Sequence, residues 1–327
     1  MTMHTFDHMT IDSAGAFLIG ELERLDPKIH EPLVDFTWSR DVPVRTDVTP
    51  ADELASFTNS TFVSAGGVNP AGKNWIGKES NAIAGPALNI VKTAQPLHQW
   101  GIETKYTMRE LMSAQKLGRS IDEQQFNAMR MKYQMDVDEN VYIGDKDLGF
   151  YGLLNAPIVE NTSNVANSKN GTPQWKTKTP REILADVNEL LNATWKAAGW
   201  AVMPNRILLP PEQFGYLASQ IVSSAGNRSI LSYLLENNIC TQRGGKLEIL
   251  PVKWLIGLGA GGTLGHLGTV DRMIAYRNEY ERIRYPLTEI QRTPLEYRSL
   301  FQAATYWCLL GQLEFVYPAT IGYRDGI

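Results

Sequence analysis

The spacing of apolar residues changes character several times along the chain. Phe17, Leu18, Leu22 and Leu25 recur at intervals of three and four, which predicts a helix over 14–25 that Asp12 or Ser13 can cap and Asp26-Pro27 ends. Between Arg40 and Thr107 the pattern becomes β-prone: the runs VPVRTDV, STFVS, LNIVKTAQ and IETKYTM surround a polar, glycine-rich middle, SAGGVNPAGKNWIGKESNAIAG. This predicts a long two-stranded arm with its tip near Gly66 to Gly77. Such an arm has too few apolar residues for a core of its own and must lie on something else.

Helical spacing then returns. Thr107-Met-Arg-Glu110 and Ser120-Ile-Asp-Glu123 both fit the capping box, in which hydroxyl and carboxylate satisfy each other's free backbone N–H groups. The first helix stops at Gly118. The second runs to Gly144, roughly 35 Å at 1.5 Å per residue, with Phe126, Met129, Tyr133, Val137 and Val141 on one stripe. After GDKDLGFYGLLNAP, the polar segment Val159 to Lys178 is the best candidate for a boundary. Thr179-Pro-Arg-Glu182 opens a helix ending at Gly199, RILLP reads as a buried strand, PPEQFGYLASQIV and SILSYLLENN as helices, and LEILPV as a strand. From Val270 onward the texture is β: DRMIAYR, ERIRYPL, LEYRSLF and TYWCLLGQLEFVYP. Helices in the middle and strands on both flanks predict an α+β fold.

Composition narrows the function classes. The 327 residues are 43% hydrophobic and 20% charged, with 27 Gly and 17 Pro, which is globular and turn-rich. The net charge of -4 gives no broad footprint for nucleic acid or anionic lipid. No secretory leader and no apolar run of spanning length is visible, so a soluble, cytosolic chain without membrane contact is expected. Cys240 and Cys308, far apart and in apolar surroundings, are expected to be buried thiols.

The one motif suggestive of chemistry is LIGLGAGGTLGHLG, which places Gly257, Gly259 and Gly262 in a G-x-G-x-x-G pattern ahead of Glu279 and Glu281. A dinucleotide site needs that turn to lead from a strand into a helix whose N–H groups hold the pyrophosphate. Here Gly265 and Gly268 interrupt any helix, and β texture comes next, so a structural loop is favoured over a nucleotide-binding enzyme using 257–268. Asp136-Val-Asp138-Glu-Asn140 imitates the start of a calcium loop but lacks its glycine and its final Glu, and reads as the solvated face of the long helix. His4 and His8 have no third ligand near them. No catalytic residue, cofactor or metal site is therefore expected.

One positive signal remains. Lys253 is the last lysine, yet seven arginines lie beyond it; Arg277, Arg282, Arg284, Arg292 and Arg298 are interleaved with Glu279, Glu281, Glu289 and Glu296. This is either a salt-bridged β surface or a surface that meets other copies of the chain, since arginine is enriched at interfaces and lysine depleted.

The order of parts, the turn GDKDLGFYGLLN, the run GAGGT leading to DRMIAYR and the tail VYPATIGYRDGI together resemble the major capsid proteins of tailed double-stranded DNA phages, the Hong Kong 97-like fold shared by encapsulin shells. The likeness is strongest to the branch of the short-tailed Bordetella phage. The resemblance implies an N-terminal helix and arm over 1–40, an extended arm loop over 41–106, a peripheral domain over 107–178 with its spine helix at 121–143, an axial domain over 179–270 and a return to the peripheral sheet over 271–327. It implies a structural subunit that builds pentamers and hexamers of an icosahedral head, an encapsulin-like compartment being the alternative. Contacts between copies would fall on Gly66, Gly67, Lys73, Trp75 and Lys78 of the arm and on the five arginines. Lys73, Lys78, Asn74 and Asn81 could take part in the covalent welding some members use, but no motif for it is present and non-covalent contacts are expected. The short segment before the first helix implies a separate scaffold protein, alongside portal and cement or decoration proteins. The expected location is the virion, after synthesis in the bacterial host cytoplasm, with packaged DNA close by but not tightly held.

Overall fold

The computed structural model describes residues 34–64, 86–110, 121–222, 228–259 and 270–327, together with the single positions 78, 112 and 268. The expected helix over 14–25, the arm-tip residues Gly66, Gly67, Lys73 and Trp75, and most of the 257–268 loop lie outside the described residues. Phe36–Ile327 forms one compact unit.

A single helical turn, α1 (Trp38–Asp41), leads into β1 (Val44–Arg45) and then β2 (Leu54–Ser64). β3 (Pro86–Thr107) is one strand of 22 residues with two employments. Its first half pairs antiparallel with β2, from Leu54 opposite Pro96 to Ser64 opposite Pro86, and forms the expected arm. Its second half, Leu97 to Thr107, belongs to the body, where it pairs antiparallel with residues 301–311. The arm is therefore a direct continuation of a body strand.

Thr107 and Glu110 exchange the two hydrogen bonds of the predicted capping box. The long helix α2 (Ile121–Tyr142) comes next. Met129, Tyr133, Val137 and Val141 of the expected stripe are buried, but Phe126 is exposed, its ring tilted against that of Tyr306 at 5.8 Å between centroids. Of the acidic run on this helix, Glu139 is exposed as its composition suggests, but Asp138 is not. Asp138 is fully buried, accepts the backbone N–H groups of Thr37 and Trp38 and the Trp254 indole N–H, and so caps α1 from a distance of about a hundred residues in sequence. A buried carboxylate is tolerated because three donors surround it, an arrangement that no local pattern reveals.

β4 (Thr162–Asn164) precedes α3 (Pro180–Ala197), which opens with the predicted reciprocal box between Thr179 and Glu182. β5 (Arg206–Leu209), α4 (Pro211–Ser219), α5 (Ile230–Glu236), α6 (Ile239–Gln242) and β6 (Glu248–Pro251) continue the chain. The remainder is β: β7 (Arg272–Tyr276), β8 (Ile283–Pro286), β9 (Gln291–Arg292), β10 (Glu296–Arg298), β11 (Phe301–Gly311), β12 (Glu314–Phe315) and β13 (Ile321–Asp325).

These strands form three sheets among the described residues: β1-β8-β12; β10-β11-β3-β2, in which β9 also pairs with β11; and β4-β13-β7-β5-β6. The last separates two hydrophobic cores. Side chains alternate across it: on β7, Met273 and Ala275 face the core of α3, α4 and α5, while Ile274 and Tyr276 face the core of α2. On β5, Ile207 and Leu209 take the first side and Leu208 the second. The segment 271–327 thus contributes to both cores.

The helical core also contains an ion pair. Lys178 and Asp186 are both buried, and Asp186 additionally accepts the Trp175 indole N–H at 3.1 Å. Lys178→Ala leaves a carboxylate without its cation in a dry site and is expected to destabilise the fold by about 3–5 kcal/mol. The check is urea unfolding beside Lys178→Met/Asp186→Leu, which removes both charges and should recover most of the loss.

Candidate assembly surface

The arm is fixed at its root and bare along its length. At the root, Glu314 on β12 is fully buried and accepts from two guanidinium groups, Arg45 Nη1 at 2.6 Å and Arg284 Nε at 2.5 Å. Arg45 reaches on to the arm itself, donating from Nη1 to the Ser56 carbonyl at 3.1 Å, and pairs with Asp47 through Nε. That hydrogen bond holds the Asp47 carboxyl below its ordinary range. Asn59 Nδ2 donates to the Val316 carbonyl at 3.1 Å, and the Leu97 amide to the Glu53 carbonyl at 3.0 Å. Contacts between sequence-distant segments therefore set the direction in which the ribbon leaves the body.

Beyond the root, support ends. Leu88, Ile90 and Val91 are 55%, 61% and 52% exposed, and Lys78 is exposed as well. Two antiparallel strands alone are marginal in water, and apolar side chains on both faces of a ribbon mark a surface meant to be covered.

Beside the root, where His98 meets Phe150, the turn after α2 is built by close backbone approach. The Leu153 and Leu154 amides donate to the Val141 and Tyr142 carbonyls at 2.8 and 3.0 Å, satisfying the last turn of the helix. Asn155 closes the loop: its Nδ2 donates to the Ile143 carbonyl and its Oδ1 accepts from the Gly152 amide. Gly144 has φ +81°, a conformation glycine adopts without strain. The Tyr323 hydroxyl donates to the Leu153 carbonyl and Arg272 Nη1 to the Leu154 carbonyl, tying this turn to β13 and β7.

The glycine stretch has a packing role where it is described. The Gly257 amide donates to Asp271, and a Cβ on Gly259 would collide with Asp325, itself paired with Arg272. A phosphate brought here would meet two carboxylates, the reverse of an anion site. The thiols are equally unsuited to chemistry: both are buried, and burial pushes Cys308 up to about 12 and Cys240 upward too. Among the described residues there is no cluster of metal-ligating side chains and no helix long and apolar enough to cross a membrane.

A model of the major capsid protein family matches residues 72–327. The chain belongs to that family. Solved structures agree on the fold. The capsid of Myoviridae phage XM1 superposes with a TM-score of 0.75 at 16% identity, covering 94% of this chain and 98% of that one. A chain of Microbacterium phage Oxtober96 gives 0.60 at 11% identity over 95% and 97%, and the capsid of an empty GTA particle gives 0.58 at 11% over 99% of both chains. No curated protein sequence matches the chain significantly. The role of this capsid protein is structural, and neither the encapsulin-like nor the nucleotide-binding reading gains support.

In this capsid protein the five expected arginines are all engaged by the chain's own groups. Arg277 and Arg282 lie 3.5 Å from Glu279, Arg282 also stacks on Tyr317, and Arg284 binds Glu314. Arg292 lies over the Tyr306 ring, and Arg298 pairs with Glu103 and Glu296. Of the four in ion pairs, Arg298 is the well-exposed one. The residues that sequence reasoning missed are Arg45, Glu314 and Asn59, which aim the arm. Their only sequence signal is a pair of charges in otherwise apolar, β-prone surroundings.

Proposed function

We propose that this capsid protein assembles with copies of itself into pentamers and hexamers that close an icosahedral phage head around double-stranded DNA. The observation that carries the reading is the arm, a ribbon fixed at its root and uncovered beyond it. Laid on the next subunit it buries those apolar positions, and head-to-tail contacts of this kind close into rings. In this scheme 41–106 is the arm loop, 107–178 with the spine helix at 121–143 and 271–327 make the peripheral domain, and 179–270 gathers around the five-fold and six-fold axes. Gly66, Gly67, Lys73, Trp75 and Lys78 serve as arm contacts, with Arg277, Arg282, Arg284, Arg292 and Arg298 on the receiving side, Arg292 and Arg298 being exposed.

The acidic balance suits a container filled by a motor, because a coat that condenses DNA by itself needs a strongly basic lining. Separate scaffold, portal and cement or decoration proteins complete the head, which forms in the bacterial cytoplasm and ends as the virion shell. The subunit has no catalytic task. Electron microscopy of the protein, expressed alone and with a scaffold, is expected to show hexamer and pentamer lattices or closed shells; a protein that stays monomeric under every assembly condition would overturn the proposal.

A further inference from the structure

A cleft of about 500 Å³ opens at the root of the arm, where β3 at His98 to Trp100 passes the last turns of α2. Small-molecule sites are typically about 300–1,000 Å³. Trp100, Leu148, Phe150 and Leu310 give the cleft an apolar wall, and Asp136, Glu139, Asp145 and Lys146 stand round its rim. Asp136 is bonded to Lys132 and to the Trp100 indole, and Lys146 balances Asp145 in number. Glu139 is left over, and it is exposed. So is the negative charge of the α2 C-terminus, about half a unit, since the last turn of that helix has no basic residue. Among these groups, Asn140 Oδ1 is buried without a donor. The orientation of its amide is set by Nδ2, which faces the Tyr285 hydroxyl and the Gly311 carbonyl at 2.7 and 3.5 Å. Surplus negative charge beside an unused acceptor suits a cation that also donates hydrogen bonds.

The form of that cation follows from the spacing. Asp136, Glu139 and Asn140 share one face of α2 and are strung over about 6 Å of its axis, at 1.5 Å per residue. Among the described residues no three carboxylate, histidine or thiol groups converge as a metal ion requires. A point charge is therefore poorly served, and an extended cation with several heads is well served. We propose that the cleft binds an aliphatic polyammonium ion, with spermidine as the test compound. Ammonium groups separated by three or four methylenes match the spread of the acceptors, and the methylenes lie along the apolar wall as a lysine stem lies on apolar surface. Trp100, half-buried beside Asp136, adds the attraction of an aromatic face for an ammonium head. Every group named belongs to one subunit, so the site needs no second copy and does not depend on the shell reading. Its occupant bridges β3, at the base of the arm, and the end of α2.

The test is isothermal titration calorimetry of spermidine into the full-length protein at about physiological salt, where isolated surface charges are largely screened. Saturable binding of one ion per chain is expected. Glu139→Gln should weaken it about tenfold, through loss of one charge-assisted contact. Lys146→Gln, which takes the opposing charge off the rim, should tighten it about threefold. Both side chains are exposed, so neither change should move the melting temperature of the free protein. Glu281→Gln alters an exposed carboxylate on the β7–β8 loop and should bind spermidine like the wild type. Absence of binding to the wild type overturns the proposal. So does an equal loss in Glu139→Gln and Glu281→Gln, which would reveal diffuse attraction to an acidic protein, and so does magnesium chloride binding as tightly as spermidine. Thermal unfolding provides a measurement that needs no variant. Spermidine should raise the melting temperature of the wild type by mass action; a rise that sodium chloride reproduces at equal ionic strength overturns the assignment.

Discussion

Gly152→Ala is expected to abolish accumulation of folded protein. A Cβ at this position would fall inside the contact radii of the Tyr142 carbonyl and the Ile143 nitrogen, all of it backbone, at the point where the chain doubles back on the end of α2. No side chain can swing aside. Relief would require breaking the Leu153 and Leu154 hydrogen bonds to the helix end and moving two leucines that are fully buried. The cost is on the order of 4–5 kcal/mol or more, comparable with the whole stability of many domains, roughly 5–15 kcal/mol. Gly149→Ala is the control. Its φ is +70°, but nothing lies within 4 Å of the added carbon, so only the left-handed backbone penalty of about 1–2 kcal/mol applies. Soluble yield and thermal unfolding of the two variants separate steric exclusion from conformational preference; a Gly152→Ala protein as stable as the Gly149→Ala protein would contradict the geometry.

Deletion of Val68 to Lys78 is expected to do the opposite, leaving the subunit folded and removing shell closure. Neither core draws on the arm: both are assembled from α1 to α6, the turn after α2 and the strands of the body. The root contacts of Arg45, Asn59 and Leu97 lie outside the deleted residues. Circular dichroism and unfolding should therefore match the wild type, while electron microscopy shows free subunits, open sheets or fragile shells. Normal, stable heads from this variant would mean that the arm tip is not an assembly element.

Much of the architecture is legible in the sequence because local rules state it redundantly. The capping boxes at Thr107 and Thr179 form as written, with their reciprocal hydrogen bonds. The β-prone runs around a glycine-rich middle become the paired strands β2 and β3. The GDKDLGFYGLLN turn, which carries part of the family resemblance, is specific for a steric reason: Gly144, Gly152 and Asn155 each fill a place that another side chain would block or leave unbonded.

Other features depend on partners that the pattern cannot name. Asp138 looks solvent-facing within its own helix, yet it is buried because Thr37, Trp38 and Trp254 bring donors to it from elsewhere in the chain. Phe126 belongs by periodicity to a buried stripe, yet it is 43% exposed. The late arginines share one composition signal, and only their surroundings separate the bridge from Arg284 to buried Glu314 from the exposed Arg298 pair.

Residue order along the chain was enough to set out the main elements, the projecting arm, the glycine run lacking the strand-turn-helix setting of a nucleotide site, and the family, because each depends on spacing within a few turns or on a contiguous run. It took the folded chain to establish that one sheet divides two cores, that β3 is arm and body at once, that Glu314 and Arg45 aim the arm, and that a cleft with an acidic rim lies at its root. Those are contacts between residues as far apart as the 269 positions from Arg45 to Glu314, and their energies depend on burial and distance, quantities that exist only once the chain has folded.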